Sequence, residues 1–296
     1  MRSLLFVPAD SPKKFAKGMT SGADALIIDL EDSVAPDNKA RARESALAFL
    51  KEASTDPARP YLVVRVNSLG SGLTDADLDA IAPGRPDAIM LPKAEGGAAL
   101  VHADAKLAVR EAQSDLPDGH IKLLPIATET AAALFMVGTF AGVSSRLIGM
   151  TWGAEDLSAE LGARANRDAQ GRFLDPYRLA RSLCLAGAAA AAVPAIDTVF
   201  VDFRNDAGFR RECEEACRDG FVGKMAIHPA QVPIINEVFT PSAEAIAHAQ
   251  SVIAAFAAAP GAGVVGIGGV MYDRPHLVRA KQLLLRAPSP AADKKR

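Results

Sequence analysis

Two acidic side chains follow the ends of two consecutive apolar runs, residues 121–129 and 147–152. Glu129 closes the first run, and Asp156 follows the second across Gly153-Ala154. Since no His or Cys accompanies them, the two carboxylates predict a hard-oxygen site suited to Mg²⁺ or Mn²⁺ rather than Zn²⁺. A cation held in this way keeps positions for water or for a bidentate keto acid or hydroxy acid. A general acid–base pair without metal is the alternative.

Polar side chains also follow the other apolar runs of the chain. They are Asp29, Glu31 and Asp32; Arg65 and Asn67; Lys93; Asp202; and His228 with Pro229. A single acidic residue after a strand is explained equally well as a helix N-cap. Their recurrence at so many run ends predicts one shared site, in which Glu31 and Asp32 are candidate catalytic residues.

Arg65 is a fixed cation at the end of a buried run, so it must be paired. Its functional interpretation is stabilisation of negative charge that forms on a substrate oxygen. The alternative is an ion pair in the core with Glu31 or Asp29. Close to the acidic pair, the backbone N–H groups of Gly153 and Ala154 are suited to a substrate carboxylate.

The elements that must position these residues are short apolar runs separated by helical segments. The runs cover residues 3–8, 25–30, 61–67, 88–93, 121–129, 147–152, 197–202 and 225–229. Most of them are continuously apolar, as expected of strands covered on both faces. Eight strand–helix alternations predict an α/β fold, a (β/α)₈ TIM barrel with its functional groups at the C-terminal strand ends. An open doubly wound sheet is the alternative.

The segment after the barrel contains a glycine motif that matches G-x-G-x-x-G, Gly261 to Gly266. It follows Pro260 and an Ala-rich helix instead of a strand, so we expect a flexible hinge or lid and no dinucleotide site. Asp273 then precedes an amphipathic stretch, residues 275–286. It either caps this predicted helix or is a lid carboxylate. We therefore expect a catalytic barrel over residues 1–239 and a C-terminal lid and oligomerisation extension over residues 240–296.

The composition favours small-molecule chemistry. The 33 basic and 35 acidic residues leave a net charge of −2, which argues against a nucleic-acid-binding surface. No apolar stretch approaches the length of a membrane span, and the N-terminal apolar run is too short for a signal peptide. Three cysteines in a chain of this size indicate a reducing compartment. We expect a cytoplasmic protein.

A series of short motifs extends along nearly the whole chain and, taken together, resembles the citrate lyase beta subunit (CitE-like) family of the HpcH/HpaI aldolase superfamily. In chain order they are Leu5-Phe6-Val7-Pro8, Asp29-Leu30-Glu31-Asp32-Ser33-Val34, Val64-Arg65-Val66-Asn67, Leu91-Pro92-Lys93, Thr128-Glu129-Thr130, Gly153-Ala154-Glu155-Asp156-Leu157, Ile227-His228-Pro229 and Met271-Tyr272-Asp273. Each motif alone is weak, whereas their order and spacing are specific.

This resemblance implies a barrel enzyme that cleaves or forms a C–C bond in a 3-hydroxyacyl thioester of coenzyme A, such as citryl-, malyl- or citramalyl-CoA. It implies that Glu129 and Asp156 hold Mg²⁺ or Mn²⁺ and that Arg65 contacts the carbonyl or enolate oxygen. Asp273 corresponds to an acidic residue that enters the site on a C-terminal lid from a neighbouring subunit.

The resemblance also implies a homotrimer or hexamer, and contacts from Lys13 or Lys14 and from His228 and Pro229 to coenzyme A. The sequence departs from several members of the family at Val270, where they have a Lys. Two functional alternatives stay open. One is a malate-synthase-like enzyme or thioesterase acting on acetyl-CoA and a keto acid, and the other is a non-autonomous subunit of a larger citrate lyase complex.

Overall fold

The computed structural model describes residues 1–287, and these form two compact units, divided after Asn236. The first unit alternates strands and helices along the chain. Its elements are β1 (Ser3–Pro8), α1 (Pro12–Met19), β2 (Ala25–Asp29), α2 (Lys39–Ala53), β3 (Tyr61–Arg65), α3 (Thr74–Ile81), β4 (Ala88–Leu91), α4 (Gly97–Gln113), β5 (Lys122–Pro125), α5 (Ala131–Met136), β6 (Met150–Thr151), α6 (Glu155–Glu160), α7 (Asp175–Ala190), β7 (Ala195–Asp197), α8 (Asp206–Asp219), β8 (Gly223–Ala226) and α9 (Gln231–Phe239), which contains the division.

Strands β1 to β8 form one parallel sheet in the order β5-β4-β3-β2-β1-β8-β7-β6. The two end strands meet through parallel bridges that join Leu123 to Leu147 and Ile126 to Thr151. Backbone hydrogen bonds support this closure, including one of 2.8 Å from the Ala127 N–H to the Thr151 carbonyl. The sheet is therefore a (β/α)₈ TIM barrel, and the open doubly wound alternative is excluded.

The barrel interior is filled by alternate residues of the strands. Leu4, Ile27, Val63, Met90 and Leu124 belong to one buried cluster. Their neighbours in sequence, such as Leu26 and Val64, are also buried, because the helices cover the outer face of the sheet. Burial on both faces explains why the strands appear in the sequence as continuous apolar runs.

One predicted strand was placed wrongly. The apolar run 197–202 was expected to form the seventh strand, but β7 covers Ala195–Asp197 and pairs with Met150 and Gly223. The Phe200 ring instead lies 5.6 Å from the ring of Phe209 on α8. Packing against the helix overrides the β-propensity of this run.

The second unit is described up to residue 287. It contains α10 (Ala243–Ala258), an antiparallel hairpin of β9 (Val264–Ile267) and β10 (Val270–Asp273), and α11 (Arg274–Leu285). Ala249, Val252, Phe256 and Ala280 form its buried core. The motif Gly261–Gly266 was expected to be a flexible hinge or lid; its second half is not a flexible segment but part of strand β9. No helix in residues 1–287 has the length and apolar character needed to cross a membrane.

Candidate active site

A cavity of about 650 Å³ opens at the C-terminal ends of the barrel strands. It brings together most of the polar residues that the sequence analysis selected. Its wall includes Asp29, Asp32, Arg65, Glu129, Gly153, Ala154, Asp156, His228 and Pro229, together with Lys14, Lys17 and Trp152. The end of the barrel predicted to carry functional groups is therefore the end that contains the cavity.

Glu129 lies in the cavity wall after β5, and only 3% of it is exposed. Its Oε2 atom accepts a hydrogen bond of 2.6 Å from the backbone N–H of Lys93. Burial raises the pKa of Glu129 to about 8; the negative charges of Asp156 and Glu31 act in the same direction, and the Lys93 hydrogen bond opposes them. A carboxylate in this environment gains stability from any cation that reaches it.

Gly153 provides the space that the Glu129 side chain occupies. A Cβ atom at Gly153 would lie 2.7 Å from Glu129 Cγ and 3.0 Å from Oε1, which is too close for any side chain larger than hydrogen. Gly153 is in the loop between β6 and α6. The loop after one strand thus accommodates the carboxylate that follows the neighbouring strand.

Asp156 lies in the first turn of α6, and 34% of its side chain is exposed. Residues 1–287 contain no group of three or more His, Cys, Asp or Glu side chains arranged to hold a metal ion. Glu129 and Asp156 line the same cavity, and Glu129 Oε1 accepts no hydrogen bond from the described residues. Two carboxylates in the wall of an open cavity fit Mg²⁺, which usually keeps several waters and few protein ligands.

Arg65, the last residue of β3, is held in a fixed orientation. Its Nε and Nη2 atoms donate to the two oxygens of Asp29 at 2.7 and 2.8 Å. Its Nη1 atom lies 3.0 Å from Glu31 Oε2 and 3.6 Å from Asp32 Oδ2. The core ion pair with Asp29 that the sequence analysis considered is therefore present, and the same guanidinium also lines the cavity.

Glu31 connects the two basic residues of the site. Its Oε1 atom accepts a 2.7 Å hydrogen bond from Lys93 Nζ, and its Oε2 faces Arg65 without hydrogen-bond geometry. Burial raises the pKa of Glu31, although Arg65 and Lys93 oppose this effect. Asp32, with 60% of its side chain exposed, lies at the solvent side of the same cavity.

Of the residues expected to contact coenzyme A, Lys14, His228 and Pro229 line the cavity and Lys13 does not. His228 and Pro229 follow β8, line the cavity and are exposed. The His228 ring stacks on Phe203 at a centroid distance of 5.1 Å. Lys14 and Lys17 of α1 line the cavity, whereas Lys13 is exposed on the same helix outside the wall.

Asp273, in the second unit, is the N-cap of α11. Its Oδ1 atom accepts from the His276 backbone N–H at 3.4 Å and also contacts His276 Nδ1 in a capping box. The hydrogen bond from the His276 side chain lowers the pKa of Asp273. The Oδ2 atom accepts no hydrogen bond from the residues that the structure describes. Asp273 thus caps the helix and keeps one carboxylate oxygen free.

Two features of the site were not anticipated from the sequence. Lys93 was counted among the polar strand ends but was given no role, and it contacts three carboxylates.

The second feature is a set of buried hydrogen bonds behind the cavity wall. Trp152 in the cavity wall donates from Nε1 to Asp197 Oδ1 at 2.7 Å, and Asp197 accepts from the fully buried Lys224 Nζ at 2.7 Å. Asp197 and Lys224 stand at paired positions of β7 and β8, but the seventh strand was predicted to begin at Asp197, the residue at which β7 ends.

Comparison with known proteins gives the relatives of the chain. The family model described as HpcH/HpaI aldolase/citrate lyase matches residues 2–229. A (3S)-malyl-CoA thioesterase of Cereibacter sphaeroides is 37% identical over 297 residues, which cover 98% of this chain and 96% of that protein. An L-malyl-CoA/beta-methylmalyl-CoA lyase of the same species is 34% identical over 305 residues, covering 97% and 94%.

Solved structures give the same result. The crystal structure of CitE from Mycobacterium tuberculosis, in complex with magnesium, acetoacetate and coenzyme A, is 36% identical to this chain, with a TM-score of 0.76. The match covers 97% of each chain. The predicted resemblance is confirmed, and the chain belongs to the HpcH/HpaI aldolase/citrate lyase family.

Proposed function

We propose that the protein is a Mg²⁺-dependent carbon–carbon lyase that cleaves a 3-hydroxyacyl-CoA thioester into a keto acid and acetyl-CoA, or forms it in reverse. The observation that carries the proposal is the cavity wall that joins Arg65 to Glu129 and Asp156. This arrangement places a fixed cation and two oxygen donors around one space at the C-terminal face of a barrel. The related malyl-CoA lyase and the CitE complex support the reaction class and the cofactors.

Glu129 and Asp156 would hold the divalent cation. Their all-oxygen donor set and the space that Gly153 leaves beside Glu129 fit Mg²⁺, and Mn²⁺ has the same ligand preference. When bound, the cation would lower the pKa of the substrate hydroxyl and offset negative charge on the substrate oxygens. The protein itself contributes the fixed positions of the two carboxylates and a cavity that admits the thioester.

Arg65 would stabilise the negative charge that develops on the thioester oxygen as the C–C bond breaks. Its two hydrogen bonds to Asp29 fix the plane of the guanidinium before substrate arrives, so little reorganisation is needed during the reaction. Glu31 and Asp32 would act by keeping Arg65 in this orientation. The backbone N–H groups of Gly153 and Ala154 would bind the carboxylate at the keto-acid end of the substrate.

Asp273 would exchange a proton with the carbon next to the thioester carbonyl. In the condensing direction the carboxylate removes this proton. In the cleavage direction the protonated carboxyl group delivers it to the enolate, while the substrate hydroxyl loses its own proton to solvent. The free Oδ2 atom would carry the proton. In this proposal the C-terminal unit is a lid that serves a neighbouring subunit of a homotrimer or hexamer, and the barrel of residues 1–239 carries the other groups.

Coenzyme A would bind along the rim of the cavity. Lys13, with Lys14 and Lys17 of the same helix, offers ammonium groups for its phosphates. His228 and Pro229 follow β8, which pairs with β1, the strand before this helix. CitE, which is structurally similar along the whole chain, was crystallised with coenzyme A, and this supports the assignment of the carrier. The three free cysteines fit the proposal of a cytoplasmic enzyme.

A thioesterase is the second candidate, because one relative with 37% identity is named (3S)-malyl-CoA thioesterase. That reaction would hydrolyse the thioester and leave the C–C bond intact. A subunit role in a citrate lyase complex is the third candidate and would require partner chains for turnover.

A product assay separates these candidates. The purified chain is incubated with citryl-, malyl- and citramalyl-CoA in Mg²⁺ or in EDTA, and the keto acid, acetyl-CoA, free CoA and hydroxy acid are quantified. The lyase proposal predicts equal amounts of keto acid and acetyl-CoA in Mg²⁺ from at least one thioester. Free CoA with intact hydroxy acid would indicate the thioesterase, and inactivity on every thioester would indicate a dependent subunit.

A further inference from the structure

The backbone of Lys93 adopts a conformation that is costly for its residue type. Lys93 follows β4 with a φ angle of 51°, in the left-handed region that glycine adopts most easily. Such a residue persists only where surrounding contacts stabilise it, and these positions concentrate at functional sites. The contacts that this conformation allows Lys93 to make are with the carboxylates of the site.

Both ends of Lys93 are directed at carboxylates of the candidate active site. Its backbone N–H donates to Glu129 Oε2 at 2.6 Å. Its Nζ atom donates to Glu31 Oε1 at 2.7 Å and lies 3.3 Å from Asp156 Oδ1. One residue thus contacts both proposed metal ligands and the acidic residue that faces Arg65.

The side chain of Lys93 places an ammonium group among the carboxylates of the site. Its Nζ atom lies within 3.3 Å of an oxygen of both Glu31 and Asp156. With 30% of its side chain exposed, the group is partly shielded from solvent. A partly shielded positive charge acts strongly on any other cation held by the same carboxylates.

We propose that Lys93 is a positioning residue with two separable effects on the metal site. Its backbone N–H fixes the orientation of Glu129, and its ammonium group holds Glu31 and Asp156 in place while opposing the divalent cation. The side chain therefore keeps the acidic site assembled without metal and weakens its affinity for Mg²⁺. The inference rests on the proposed function, because it takes Glu129 and Asp156 as the ligands.

The test is a calorimetric titration of Mg²⁺ alone into the wild-type chain and into Lys93→Met. The substitution removes the charge but keeps the backbone N–H and most of the side-chain length, so Glu129 stays in place. The dissociation constant of Mg²⁺ should fall by roughly tenfold, since an adjacent repulsive charge is lost and Asp156 is released. A purely structural role predicts the opposite sign, because loss of Lys93 would then disorganise the ligands and weaken binding.

Two further variants complete the design. Lys106→Met is the matched control, since Lys106 is paired with a carboxylate, Asp75, that is not one of the proposed metal ligands. The Mg²⁺ affinity of this variant should equal that of wild type. Lys93→Gly removes the charge and also suits the positive φ, so it should tighten Mg²⁺ binding even if Lys93→Met folds poorly. Circular dichroism verifies the fold of each variant.

The outcomes distinguish the two levels of the proposal. If the wild-type chain binds Mg²⁺ as tightly as the Lys93 variants or more tightly, the inference about Lys93 is overturned but the proposed function is not. Wild type without measurable Mg²⁺ binding would overturn the proposed metal site and the inference with it. Tighter binding in both Lys93 variants, with the Lys106 control unchanged, is the expected result.

Discussion

Glu129 illustrates how burial prepares a single side chain for its proposed role. The carboxyl group is nearly inaccessible, and its pKa is raised to about 8 because burial and two neighbouring acidic groups disfavour its charge. Its folded-state pKa lies above the unfolded value, so the group stabilises the folded state most at low pH. This contribution is lost as the pH rises from about 4.5 towards 8.

The first prediction concerns the metal-free protein. In EDTA, Glu129 should make the melting temperature decrease between pH 5 and pH 8, and Glu129→Gln should flatten this part of the profile, because the amide has no charge to bury. Differential scanning calorimetry over this pH range measures both. A wild-type profile that is unchanged by the substitution would show that Glu129 does not titrate in this window.

The second prediction concerns Asp273→Asn. Asparagine is as good an N-cap as aspartate, so helix α11 should be preserved, along with Mg²⁺ and substrate binding. Turnover should fall by about 100-fold or more, because the amide cannot exchange the proton. Steady-state kinetics and calorimetry measure the two effects, and Asp175→Asn, an exposed acidic residue at the start of α7, serves as the control. An unchanged kcat would remove Asp273 from the mechanism.

Individual residues of the site were predictable where residue type and position sufficed. Arg65, Glu129 and Asp156 were selected because charged groups follow buried strands, and the structure brings all three to one cavity. The role of Lys93 was not predictable, because no sequence pattern marks a lysine with positive φ. The contacts of Lys93 with Glu31 and Asp156 depend on the arrangement of three different strand ends.

At the scale of elements, the loops after β5 and β6 fit together only because one of them contains a glycine. The third prediction follows from this contact: Gly153→Ala should push Glu129 aside, since the new Cβ would lie 2.7 Å from Glu129 Cγ. Mg²⁺ affinity should fall by about tenfold or more, as measured by calorimetry. Gly138→Ala is the matched control, because a Cβ there meets no atom within 4 Å. Equal affinities in the two variants would contradict the proposed role of Gly153.

The elements were predictable to different degrees. β1 was predicted with its observed bounds, since its apolar run is long and clearly delimited. The β9–β10 hairpin was missed, although Gly268 and Gly269, with φ of 58° and 81°, supply the positive angles that a tight two-residue turn requires. The G-x-G-x-x-G match was interpreted as a flexible hinge or lid, whereas Gly268 and Gly269, which follow it, were the residues that indicated a hairpin turn.

At the scale of the whole molecule, strand count and the order of motifs were sufficient to predict the barrel and the family. Eight parallel strands account for the residues up to Asn236, and Glu237 begins a separate unit that contains Asp273. The substrate was not predictable in the same way, because citryl, malyl and citramalyl groups differ by small substituents. Discrimination among them depends on the shape of the cavity wall, to which residues from many elements contribute.

The central claim is that Glu129 and Asp156 hold the cation on which C–C cleavage depends. The most direct measurement is the rate of keto acid release from the best thioester as a function of Mg²⁺ concentration, for wild type and for Glu129→Gln. We expect saturable activation of wild type, no release in EDTA, and a curve for Glu129→Gln displaced to much higher Mg²⁺. Full release in EDTA, or a Glu129→Gln curve that overlays wild type, would contradict it.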